Sequence, residues 1–174
     1  MTISMSSASL PIFTRMLGNL SYFLDKAQAH AEERKFDPAV LVQYRLAPDM
    51  LPFARQIQIA CDAAKNGVAR ISGVEAPRFE DTETTIAELK TRIQKTLDFL
   101  ASVPSTRLDG TEDKEVTFPA GPDKTLTMKG EAYLKHLALP NFFFHVTTAY
   151  AILRHNGVPL GKTEYLAGGN PGQL

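Results

Sequence analysis

The sequence has a single cysteine, no excess charge of either sign and no long hydrophobic run. Cys61 is that cysteine, so an internal disulfide framework is excluded and a reducing compartment is favoured. Nineteen basic and nineteen acidic side chains balance to a formal net charge of +0, which argues against a general nucleic-acid binder. No apolar run approaches the ~18 residues that a membrane helix needs, so we expect no membrane partner.

The N-terminal stretch MTISMSSASLPIF has no basic region followed by an apolar one. We therefore expect no signal peptide and a cytoplasmic location. With 174 residues the chain fits one domain with a self-sufficient core, which we place at residues 1–166. Glycine and proline are frequent near the C-terminus, and we expect residues 167–174 to form a flexible tail.

Four stretches of the chain repeat apolar residues at alternating intervals of three and four, the spacing of bundle helices. They cover about residues 7–34, 50–73, 84–104 and 130–156. Gly73 and Pro104 end the second and third stretches. Pro140 interrupts the fourth stretch and should kink the helix or restart it.

Alternating residues before the last stretch predict a β-hairpin. Val116 and Phe118 alternate with polar neighbours, and so do Leu126 and Met128 after a turn-rich segment. We place this hairpin at about residues 115–128. The fold class predicted from the residues is therefore all-α, a four-helix bundle with a small β-hairpin insert before the last long helix.

The second helix also carries a polar stripe opposite its apolar one. The stripe consists of Arg55, Gln58, Asp62, Lys65 and Arg70. Polar residues at this spacing are typical of a solvent-facing helix surface, so we expect these five side chains to be hydrated.

His145 is the most informative of the four histidines. It lies in an otherwise apolar helical stretch, with Asn141 four residues before it and Thr148 three after it, so the three share one helix face. Polar groups on such a helix need partners or water if they point inward. Two interpretations stay open: a partly buried histidine that fixes helix register, or a ligand-binding or residual metal site in the bundle.

Gln56 on the second helix is a possible partner across the bundle. It is followed by the small residues Ala60, Ala63 and Gly67, which leave room for a neighbouring helix or a cavity. The alternative is a glutamine at the core boundary that is hydrogen-bonded to backbone.

The other histidines and the cysteine have plain structural interpretations. We expect His30 at the surface or facing the helix dipole, and His155 suits the negative end of the last helix. His136 lies nine residues before His145, about 180° around a straight helix, so we assign it a structural role. Cys61 lies on an apolar stripe and is expected in the core. The sequence has no HExxH, no closely spaced histidine pair and no CxxC.

Three long motifs carry a resemblance to a known family: RLAPDMLPFARQIQIACDAAK, PRFEDTETTIAEL and GEAYLKHLALPNFFFHVTTAYAILRHNGVPLGK. From roughly Ile3 to Leu166 the chain resembles a bacterial family of unknown function within the DinB/YfiT-like superfamily. The resemblance implies an up-down four-helix bundle with a long crossover. It also implies a homodimer and metal-assisted, thiol-dependent transferase chemistry.

Typical members of that superfamily hold a metal with three histidines, one from the second helix and two, four residues apart, from the last long helix. The final ligand stands nine residues before an arginine, which Arg154 matches, so the resemblance assigns that ligand to His145. The position four residues earlier is Asn141, and the second-helix ligand falls near Gln56. Two histidines are thus replaced by amides, which are weak ligands for zinc or nickel.

From these residues we predict a degenerate metal site in which His145, Asn141 and Gln56 line a pocket for a small polar ligand. We expect no metal ligand set and no cofactor, with a divalent metal, Zn or Ni, as the alternative. The alternative function is a metal-assisted or thiol-dependent transferase or hydrolase that uses His145 as base or ligand. A third possibility is an interaction role, in which the hairpin and the tail present a surface to a partner.

Overall fold

The computed structural model describes residues 3–170 and 172, which form a mostly helical fold with one small β-hairpin. The α-helices are α1 (Leu10–Arg34), α2 (Ala39–Gln43), α3 (Phe53–Ser72), α4 (Ile86–Ser102), α5 (Gly130–Tyr133), α6 (Leu139–His155) and α7 (Lys162–Ala167). A 3₁₀ turn covers Ser105–Arg107, and a π-helical segment, Leu134–Ala138, joins α5 to α6. Strands β1 (Glu115–Pro119) and β2 (Thr125–Lys129) pair antiparallel, with Thr117 opposite Thr127.

The long helix α3 packs against α1, α4 and α6, with its largest contact on α6. Helix α1 also contacts α4 and α6, and the buried side chains of these four helices form one apolar core. The predicted helical fold with a hairpin before the last long helix is confirmed. The up-down order of the four long helices stays a prediction.

Several ends of the long helices fall where the local residues favour them. Gly73 ends α3 in the left-handed conformation, with φ of 74°. Thr85 and Glu88 form a capping box at the start of α4. Helix α3 begins at Phe53 rather than directly after Asp49, because Pro52 is extended and disfavours helical backbone in the residue before it.

The interruption at Pro140 takes the form of a wider helical turn. Proline has no backbone N–H, so the carbonyl four residues earlier loses its usual donor. The π-helical segment Leu134–Ala138 directly precedes the α6 turn that contains Pro140. Such turns commonly absorb irregularities inside a helix. The helical path therefore continues from Gly130 to His155 with one irregular turn in it.

The expectation that the polar stripe of α3 is hydrated is wrong for two of its members. Gln58 is only 2% exposed and Lys65 only 4%. The linker between α3 and α4 covers them: the Lys65 ammonium donates to the Pro77 carbonyl at 2.9 Å, and the Gln58 amide donates to Glu83 at 2.9 Å. The linker, which has no periodic pattern, thus buries part of an α3 face whose residues are polar.

A buried arginine on α4 holds this linker in place. Arg92 is 2% exposed, and its guanidinium contacts Asp62 of α3 at 3.2 Å and Asp81 of the linker at 2.9 Å. The other terminal nitrogen contacts Glu83 at 3.0 Å and donates to the Glu80 carbonyl. Buried charges need such partners, because removing them from water is costly. Arg92 therefore ties the linker to both α3 and α4.

No helix in residues 3–170 combines the length and hydropathy that crossing a membrane would need.

Replacing Arg92 should strongly destabilise the fold. We expect Arg92→Met to lower the free energy of unfolding by about 1.5–3 kcal/mol, because it removes the charge-assisted hydrogen bonds that tie Glu83 and Asp62 to α4. Lys90→Met on the same helix is the matched control, since Lys90 pairs with Asp25 at the surface. Its loss should stay below about 1 kcal/mol. Urea denaturation measures both, and similar losses for the two variants would contradict this role for Arg92.

Candidate functional site

Small side chains bring helices α3 and α6 close together. A Cβ atom placed on Gly67 would lie 3.4 Å from the Cβ of Ala138, the residue directly before α6, and Ala60 of α3 is fully buried. The backbones therefore approach closely along this interface, as the small residues that follow Gln56 predict. Gln56 lies near the other end of the same interface and is 2% exposed.

Gln56 faces His145 directly. The Nδ1 atom of His145 and the Oε1 atom of Gln56 are 2.7 Å apart, and the Gln56 Nε2 atom donates to the Leu51 carbonyl at 2.9 Å. Because Nε2 must donate to a carbonyl, Oε1 of the amide is the acceptor that faces the ring. Nδ1 therefore carries the proton, and Nε2 of His145 keeps its lone pair. Gln56 is thus both a cross-helix partner and bonded to backbone, so the two interpretations of it hold together.

The environment keeps this imidazole neutral. Burial lowers the pKa of His145 below its ordinary value of 6.5, and the positive charge of Arg55 lowers it further. Within the described chain, Nε2 of His145 has no hydrogen-bond partner, and it is not completely shielded from solvent. A neutral ring with an accessible lone pair can accept a hydrogen bond, take up a proton or serve as one ligand.

Asn141 and Thr148 do not join this pair. Thr148 donates to the Phe144 carbonyl of its own helix at 2.7 Å. Asn141 is exposed and lines a separate cleft of about 340 Å³ between the hairpin, α3 and the start of α6. We call it the hairpin cleft, and its lining includes neither His145 nor Gln56. Of the three predicted site residues, His145 and Gln56 are therefore in contact, while Asn141 lines a different surface.

The remaining histidines lie apart from this pair. His136 and His155 are exposed. His30, expected at the surface or facing the helix dipole, is only 8% exposed. It packs edge-on against Phe36, with ring centroids 5.9 Å apart, and lies beside Gly157. The chain that follows α6 covers the end of α1, which the periodicity of α1 alone does not reveal.

Cys61 belongs to the core. It is fully buried, and burial raises the pKa of its thiol to about 12. At neutral pH it is therefore a protonated, unreactive thiol. Within residues 3–170 and 172, no group of three or more His, Cys, Asp or Glu side chains is placed to hold a metal ion.

Two arginines with buried or partly buried contacts, Arg92 and Arg70, were not predicted as site residues from the sequence. Arg92 adjoins the apolar stripe of α4, since it lies three residues after the buried Leu89 and four before the buried Thr96. That position inside an otherwise buried face is the signal that identifies it. Arg70 is part of the stripe expected to be hydrated, yet its guanidinium donates to the buried Tyr133 hydroxyl at 3.0 Å.

The lowered pKa of His145 makes stability depend on pH. The stability gained by keeping the ring neutral is complete above the unfolded-state pKa of about 6.5 and is lost as pH falls toward the lower folded-state pKa. We expect the denaturation midpoint of the wild type to fall in that range more steeply than that of His145→Gln. His136→Gln, at an exposed histidine, should keep the wild-type profile. If the denaturation midpoints of wild type and His145→Gln changed with pH in parallel, His145 would not be the group with the lowered pKa.

Comparisons with known proteins agree with the resemblance drawn from the motifs. The family model "Domain of unknown function (DUF1993)" matches residues 5–166. A search of curated proteins finds no match. A crystal structure of a DinB family member protein from Shewanella denitrificans is 43% identical, over 92% of this chain and 90% of that one, with a TM-score of 0.86. The chain therefore belongs to the DUF1993 family and is similar to DinB family proteins in fold.

Proposed function

We propose that this chain is a binding protein whose site at His145 receives a small polar molecule in place of the transition metal that the superfamily pattern implies. The observation that carries the proposal is the hydrogen-bond relay from the Leu51 carbonyl through Gln56 to Nδ1 of His145. The relay orients the ring and leaves Nε2 as a fixed acceptor. A ligand with a hydroxyl or amide donor matches that acceptor.

The available donor atoms fit a transition metal poorly. A tightly held zinc ion normally takes three or four protein ligands with nitrogen, sulfur or carboxylate donors. Both polar atoms of the Gln56 amide are already used, one by His145 and one by the Leu51 carbonyl. The Asn141 amide lies in the hairpin cleft. Nε2 of His145 is then the single ligand atom on offer, so we derive no metal-dependent step.

A catalytic role for His145 is the second candidate, favoured by the same relay. A general base needs a ring held in one tautomer with its lone pair free, which is the state that Gln56 imposes. A lowered pKa also keeps that lone pair available at neutral pH. A transferase or hydrolase that uses His145 as base is therefore the alternative, and turnover of a bound ligand that is lost in His145→Gln would establish it.

We also propose that two copies of the chain associate through the side on which Leu46 and Phe144 lie. These side chains are 41% and 57% exposed, and both line one shallow apolar cleft. Exposed apolar surface of this kind is typical of interaction sites. Up-down packing of the long helices and a cytoplasmic location complete the proposal, and sedimentation of the purified protein tests the dimer, with a monomer counting against it.

Removing the His145 ring should weaken ligand binding more than it disturbs the fold. We expect small alcohols and amides that bind here to shift the Nε2 resonance of His145. The His145→Ala variant should bind them roughly two- to tenfold more weakly, the equivalent of one net hydrogen bond. His136→Ala, at an exposed histidine, is the matched control and should bind like the wild type.

Two results would contradict the prediction for His145→Ala. Loss of the folded state in His145→Ala, seen by circular dichroism, would favour a histidine that only fixes helix register. Unchanged binding in a folded His145→Ala protein would place the ligand elsewhere.

A further inference from the structure

The hairpin cleft is a second polar surface, and the proposed function uses none of its charge. Polar side chains line it beside small and apolar ones. Its polar members are Asp62, Asn66, Arg70, Tyr133 and Asn141. Its volume of about 340 Å³ lies within the range of small-molecule sites, which is roughly 300–1,000 Å³.

Arg70 gives this cleft an uncompensated positive charge. Among the described residues, no carboxylate lies within ion-pair distance of Arg70, and its guanidinium donates to the Tyr133 hydroxyl at 3.0 Å. The same guanidinium lies over the Phe118 ring, 5.7 Å from its centroid. Asp62, the acidic residue of the lining, is already shared by Lys65 at 3.0 Å and Arg92 at 3.2 Å. Arg70 is therefore held in place while several of its N–H groups stay free.

Two side-chain amides in the cleft are also free. Within residues 3–170 and 172, neither Asn66 nor Asn141 makes a side-chain hydrogen bond to the protein. Asn66 lies one helical turn before Arg70 on α3, so the two share a face. Asn141 belongs to α6 and lines the same cleft from the other side. A guanidinium and two carboxamides thus border one space.

The rest of the lining is apolar. Phe118 and Leu126 come from the two strands of the hairpin, Leu137 from the π-helical segment and Ile59 from α3. Leu126 is 42% exposed at the edge of the cleft, although it is a large apolar side chain. A ligand that covers it would remove this surface from water, which is favourable.

We propose that the hairpin cleft binds a small organic acid, with its carboxylate on Arg70, Asn66 and Asn141 and its apolar body against Phe118 and Leu126. A guanidinium forms paired, charge-assisted hydrogen bonds with a planar carboxylate, and side-chain amides donate to the same oxygens. Among the described residues that line the cleft, Arg70 is the one cation, which favours a monoanion, since a second negative charge would meet Asp62. The cleft is independent of His145 and of the function proposed for it.

The test compares acids with their neutral analogues. The probes are benzoate, 3-phenylpropionate and 4-methylpentanoate, each paired with its primary amide. Each is titrated at millimolar concentration into the full-length protein, and the side-chain amide resonances of Asn66 and Asn141 are followed. We expect at least one acid to shift both resonances and to bind at least about tenfold more tightly than its amide, since the charge-assisted contacts exist only for the acid.

Variants separate this cleft from other sites. Arg70→Met should raise the dissociation constant for the acid at least about tenfold. Lys135→Met removes an exposed cation that pairs with Glu131 and should leave the constant unchanged. His145→Ala should also bind the acid like the wild type.

Each contrary outcome overturns the proposal. Equal binding of acids and amides would do so without any variant, even if Arg70→Met failed to fold. So would the absence of shifts at Asn66 and Asn141 for every acid, or wild-type affinity in a folded Arg70→Met protein. Weakening by His145→Ala as large as that by Arg70→Met would assign the acid to the His145 site instead.

Discussion

The close approach of α3 to α6 is the contact on which the other features depend. Gly67 and Ala138 let the two backbones meet, with only 3.4 Å between Ala138 and the position of an added Cβ atom. Farther along α3, Gln56 meets His145 of α6, with Oε1 of the amide 2.7 Å from Nδ1 of the ring. Interiors are packed densely enough that even one added methylene disturbs them. The packing of α3 against α6 therefore holds the two helices where Gln56 and His145 are in contact.

Helix α3 serves different purposes on its different faces. Toward α6 it presents Gln56, and toward the linker it presents side chains that meet the buried Arg92 of α4. Toward the hairpin it presents Arg70, which pairs with no carboxylate in the described part of the chain. The network around Arg92 fixes the fold through paired charges. The other two surfaces keep side-chain hydrogen-bonding groups that the described residues leave unused. Unused capacity at a half-buried position is what a ligand site requires, because each unmade bond costs free energy until something fills it.

The sequence predicted the long helices and the hairpin because their apolar residues follow a period that a single face can display. It also predicted Gln56 as the partner of His145, since small residues on α3 mark the side that a neighbouring helix approaches. The burial of Lys65 could not be predicted, because the linker that covers it has no periodic pattern of apolar residues. Asn141 shares a helix face with His145 but lines the cleft beside the hairpin, and helical spacing carries no information about a distant hairpin.

The central claim is that His145 offers one acceptor atom to a polar ligand and does not complete a metal site. The most direct measurement is elemental mass spectrometry of the tag-free protein, purified without chelator, beside the His145→Ala variant. The account predicts far less than one transition metal per chain in both, because a single imidazole nitrogen is a weak site. About one zinc or nickel per chain in the wild type, lost in His145→Ala, would contradict it and make the superfamily's metal chemistry the better explanation.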